Sequence, residues 1–93
     1  RGRRPHYSAI ENSGIVCITA PCQSFTEYVL NSPRQRLITG LELAPAGAEP
    51  EIEQKALDTV VSGGVLIVRG ITRQSEDGTE LTVEAQQFFL PVQ

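Results

Sequence analysis

Residues 44–64, "APAGAEPEIEQKALDTVVSGG", are the stretch on which the fold turns. Ile52, Ala56, Leu57 and Val60 recur at helical spacing and form one apolar stripe, with Glu51, Lys55 and Asp58 outside it. Pro50 suits a first helical turn, where its missing amide would have had no partner. Glu49, Glu51 and Glu53 put negative charge at the positive end of the helix dipole. Pro45 and Gly47 read as a linker before the helix, and Gly63-Gly64 stops it. The spacing predicts one helix of about three turns.

Both flanks read as strands. Upstream, "RLITGLEL" at 36–43 alternates, with Leu37, Thr39, Leu41 and Leu43 on a buried face and Arg36, Ile38, Gly40 and Glu42 on a half-wet one. Gly40 in its middle predicts a bend or bulge. Before it, "QSFTEYVLNS" is rich in aromatic and β-branched residues and closes in an Asn31-Ser32-Pro33 turn. The first strand lies in "RPHYSAIE", with Tyr7 and Ala9 on one face and Ser8 and Ile10 on the other. Pro5 at its start suggests an edge position. Downstream of the helix, residues 65–74 and 79–90 form a hairpin around Asp77-Gly78. Leu81, Val83 and Ala85 alternate with polar residues until Phe88-Phe89-Leu90 breaks the pattern, which either a bulge near Gln86-Gln87 or burial on both faces near the barrel seam explains.

The resulting order, β-β-β-α-β-β, predicts a mainly β, α+β domain: a five-stranded, OB-like small barrel. The alternative is an open antiparallel sheet with the helix packed on one face. The chain divides into a basic head, residues 1–4, and a single domain, residues 5–93. No apolar run reaches the roughly 18 residues of a membrane helix.

The chain has 93 residues and a formal charge of −3, but Arg1, Arg3 and Arg4 mask a more acidic body. Without them, five basic side chains face eleven acidic ones. Such a body lacks the cationic field that phosphate backbones require, which disfavours nucleic acid as a partner. An oligonucleotide-binding OB domain also needs stacking platforms, and five aromatic residues with no tryptophan are few.

The only two cysteines, Cys17 and Cys22, sit in "VCITAPCQSF". With His6 they fall short of a four-ligand zinc site, and four intervening residues do not match a thioredoxin-type redox pair. A disulfide remains. It would restrict the unfolded chain by roughly 2 kcal/mol and implies an exported setting, periplasmic, cell-surface or secreted. A chain opening at Arg1 with no methionine is read as trimmed, with any export signal already gone. The closed ring preorganises Ile18, Thr19, Ala20 and Pro21 as a contact loop, with Phe25 and Tyr28 as adjoining surface.

No catalytic constellation is legible. His6, the one histidine, follows Pro5 next to the basic head and reads as a surface residue with no nucleophile beside it, and carboxylate pairs such as Glu76-Asp77 fall in turns. Glu27, Glu80 and Glu84 read as acidic strand faces. No cofactor or metal is expected.

The Cys-x4-Cys pair with proline before its second cysteine, the Leu-Asn strand end and the Gly-rich start of a Val/Ile strand resemble small exported bacterial domains of unknown function. The matching residues are Cys17, Pro21, Cys22, Leu30, Asn31, Gly63, Gly64 and Gly70. The resemblance implies export and a disulfide and carries no catalytic residues. The expected function is a non-enzymatic exported binding or accessory module contacting protein or cell-envelope components. The alternative is a disulfide-loop inhibitor of a hydrolase such as a protease.

Overall fold

Helix α1, Pro50–Val61, starts where Glu49 leaves extended backbone and its carbonyl accepts from the Ile52 and Glu53 amides. Pro50 occupies the first turn with Glu51 and Glu53, as the sequence predicts. It ends at Gly63, whose φ of 101° is open to glycine and strained for other residues. Ala56 and Val60 are buried, whereas Ile52, expected in the same stripe, is 38% exposed.

The computed structural model describes residues 4–15 and 22–90. Around α1 stand six strands: β1 His6–Asn12, β2 Phe25–Val29, β3 Gln35–Ile38, β4 Gly40–Glu42, β5 Leu66–Gln74 and β6 Leu81–Phe89. They form one mixed sheet in the order β3-β2-β1-β5-β6-β4. All pairings are antiparallel except β4 with β6, which is parallel. A 3-10 turn, Ala44–Ala46, leads from β4 toward the helix.

The expected five-stranded barrel is corrected. What was read as one third strand breaks at Thr39, and its halves take opposite ends of the strand order, with no ladder between them. The open-sheet alternative fits better, apart from its one parallel pairing. Because a single residue joins the two edge strands, the sheet coils strongly. The Thr39 amide and hydroxyl both donate to the Leu81 carbonyl, at 2.8 and 2.9 Å, and fix the corner.

The corner also overturns the predicted facing of the third strand. Ile38 is fully buried and Leu37 is exposed, while Leu41 and Leu43 turn inward after the break. Gly40, flagged as a bend, immediately follows it. β1 is central rather than an edge, flanked by β2 and β5. The bulge expected near Gln86 is present: Arg69 opposes Gln87 and Gly70 opposes Ala85, leaving Gln86 as the extra residue. It resets the alternation so that Phe88 and Leu90 pack on the same core as Val83 and Ala85.

That core lies inside the coil, where Ile10, Ile38, Leu66, Val68 and Val83 meet Ala56 and Val60 of the helix. β5 and β6 approach so closely at the bulge that a side chain on Gly70 would run into the Glu84 carbonyl and lie 3.0 Å from the Ala85 Cα.

Candidate functional site

Three places merit description: the stem of the cysteine loop, a buried ionic cluster and the outer face of the sheet. The loop connects β1 to β2, and its two sides are tied together where the description resumes. The Ser13 amide donates to the Ser24 carbonyl at 2.9 Å and its hydroxyl to the Gln23 carbonyl at 2.7 Å. Asn12 accepts from the Gly14 amide at 2.8 Å, in a local turn that aims the chain outward. Asn12 also donates to the Val61 carbonyl at the end of α1. Cys22 is not a free thiol. Cys17, Ile18, Thr19, Ala20 and Pro21 lie outside the described residues.

Phe25 and Tyr28, predicted as one adjoining surface, point to opposite faces of β2. Phe25 packs against the core, and only Tyr28 looks outward from the sheet.

The buried cluster was not legible as a unit. Glu27 is fully buried on the inner face, opposite Ile10 of β1 and Arg36 of β3. Its Oε1 accepts from Arg36 Nε at 2.8 Å, and its Oε2 accepts from Ser8 Oγ at 2.7 Å and His6 Nε2 at 2.9 Å. The Thr72 hydroxyl of β5 lies 3.3 Å from both oxygens and accepts from Arg36 Nη2 at 3.0 Å. Burial pushes the Glu27 carboxyl up, but the hydrogen bonds from Ser8, His6 and Arg36 and the Arg36 charge outweigh it. They hold the group below its ordinary value. An ionised carboxylate only accepts, so His6 Nε2 carries a proton.

His6 is therefore corrected from a surface residue next to the basic head to a partner of the interior, and Glu27 from an acidic strand face to a buried anion. The signal was present in "FTEYV": Glu27 alternates with Phe25 and Val29, which places it on the core face. A buried charge then demands partners.

Chemically the cluster is saturated. Ser8 donates to Glu27 rather than to a base, His6 does not reach Ser8, and every buried side-chain polar atom described has a partner. No nucleophile is activated there. Among the described residues no group of three or more His, Cys, Asp or Glu is placed to hold a metal, and no helix is long and apolar enough to cross a membrane. Neither Phe25 nor Tyr28 lines the depressions beside α1, beside the β5–β6 hairpin or beside the 3-10 turn.

On the outer face a row crosses the sheet at one level: Tyr28, Ala9, Ile67 and Phe89, paired in register. Tyr7 lies against Phe89, ring centroids 6.4 Å apart. Tyr7 and Phe89 are each 46% exposed, and Leu30 and Leu37 beside the row are 40% and 37% exposed.

Fold and site thus define a small α+β domain braced by a buried carboxylate, with apolar side chains exposed on the outer face of its sheet. The chain belongs to the family described as a domain of unknown function, DUF6748, whose model matches residues 2–93. No curated protein and no solved structure matches it. The resemblance to domains of unknown function holds at that level.

Proposed function

We propose that this domain is a non-enzymatic, exported protein-binding module that presents residues 16–21 from a rigid stem. The supporting observation is the stem itself: Ser13 and Asn12 brace both sides of the loop and tie it to the end of α1. In this reading Cys17 and Cys22 are bonded to each other and an oxidising compartment keeps them so. A segment ordered at both ends and closed by a covalent ring loses little entropy on binding. Ile18, Thr19, Ala20 and Pro21 make the contact, to protein or to a cell-envelope component. The same loop could serve a hydrolase inhibitor, because small side chains at Thr19 and Ala20 suit a shallow specificity pocket.

Affinity capture from extracellular and envelope fractions, read by quantitative mass spectrometry, tests the assignment. A partner held by the wild type should be lost with Ala20→Arg and with the Cys17→Ser/Cys22→Ser pair, yet kept with Lys55→Ala on the far side of the helix. Equal capture by all four proteins removes the loop from consideration. Titration against elastase-like proteases decides the inhibitor reading.

A further inference from the structure

We infer that the outer face of the sheet is a self-association surface and that its partner is a second copy of this chain, packed face to face about a two-fold axis. Four large apolar side chains, Tyr7, Leu30, Leu37 and Phe89, are each more than a third exposed on this one face. Contiguous apolar surface of this kind marks a contact.

The charges choose the partner. Glu11 of β1 is half-buried on this face, beside Thr26 and Leu37, and makes no hydrogen bond or ion pair. Arg69 of β5 stands next to Tyr7, and its one polar contact, to Gln86, is 3.5 Å long. Two register steps separate them along the strands, about 13 Å, too far to pair within one chain. The Tyr28, Ala9, Ile67 and Phe89 row lies midway.

An axis running across the strands along that row sets the row on its own copy and exchanges the levels above and below it. Glu11 then falls beside Arg69 of the other copy, one strand over, and Leu37 falls beside Leu30 in the same way. Aligned sheets packed about 10 Å apart allow such side chains to meet. An isologous surface must be self-complementary, and this one satisfies both its charges and its leucines in a single operation. The paired strand ends at Asn12 and Phe25 fall at opposite ends of the pair in the two copies.

Sedimentation equilibrium on the full chain, up to about 1 mM, tests this. The wild type should approach twice its monomer mass with rising concentration. Arg69→Glu and Glu11→Arg should each weaken association about tenfold, and the double charge reversal should restore it. Ile67→Glu should abolish it, and circular dichroism checks that this variant keeps its fold. Lys55→Ala, on the helix, should leave it unchanged. A wild type that stays monomeric overturns the inference, as does a dimer indifferent to Ile67→Glu and Arg69→Glu. Failure of the double reversal to restore association overturns the two-fold register.

Discussion

Glu27 is the residue on which the inner face depends, because a carboxylate with no solvent exposure survives there only while its donors stay in place. Its folded-state pKa is depressed, so its contribution to stability is complete above the ordinary value of 4.5 and disappears as pH falls through the lower folded value. Urea titrations from pH 7 down to pH 2 should therefore show stability falling with acid, and Glu27→Gln should flatten that slope. At neutral pH the same variant should cost about 3 kcal/mol, because Arg36 loses its counter-charge and three donors lose an ionised acceptor. An equally steep acid slope in the variant would move the titrating group elsewhere. Asp77 is the other carboxyl held low, to about 2, by the Ser75 hydroxyl and the Thr79 amide and hydroxyl, but it lies on the exposed hairpin loop. Gly70 depends on distance instead of charge. Gly70→Ala pushes a methyl into the Glu84 carbonyl and should cost about 3 kcal/mol, read as a lowered urea midpoint.

At the scale of elements, the features that were legible are those written in local chemistry. The helix follows from its apolar spacing, Pro50 and Gly63. The bulge at Gln86 follows from three apolar residues in a row, which one face of an even alternation cannot take. The first strand's central position was not legible, because Pro5 suits an edge and precedes a central strand equally well. Nor was the reversal at β3: Leu37 looks like core and Arg36 like surface until Glu27 is known to need a cation from the neighbouring strand. Pairing between distant segments carries that information, and no local periodicity does. The stem at Ser13 was visible only as a turn, and the loop residues above it lie outside the described structure. The bulge provides a clean test at this scale. Inserting one alanine between Gln87 and Phe88 shifts the rest of β6 by one residue, turning Phe88 and Leu90 to solvent and Phe89 inward. The variant should lose its cooperative unfolding transition, measured by tryptophan-free near-ultraviolet circular dichroism of its tyrosines and phenylalanines. A transition within a few degrees of the wild type would show that the register is set elsewhere.

For the whole molecule the question is how 93 residues hold together with so few large buried side chains and a charged group among them. A domain of this size has about 5–15 kcal/mol in hand. The apolar core sits against α1, and Glu27 reaches to side chains on β1, β3 and β5, so the ionic cluster fastens these strands to one another by polar contacts that do not run through the helix. The proposed Cys17 to Cys22 bond would fasten a different part, the β1–β2 connection, and would act on the unfolded chain more than on the native contacts. Two fasteners with no shared partner and different modes of action should be additive. Cys17→Ser/Cys22→Ser should cost about 2 kcal/mol, and adding Glu27→Gln should bring the deficit to about 5 kcal/mol, close to the lower bound of total stability. The combined variant should then be substantially unfolded at 37 °C while each parent remains folded, as amide hydrogen exchange would show. A combined deficit well below the sum would mean that the loop stem and the cluster loosen together. The β1–β2 hairpin, which carries the loop at one end and His6, Ser8 and Glu27 along its inner face, would then behave as one cooperative unit.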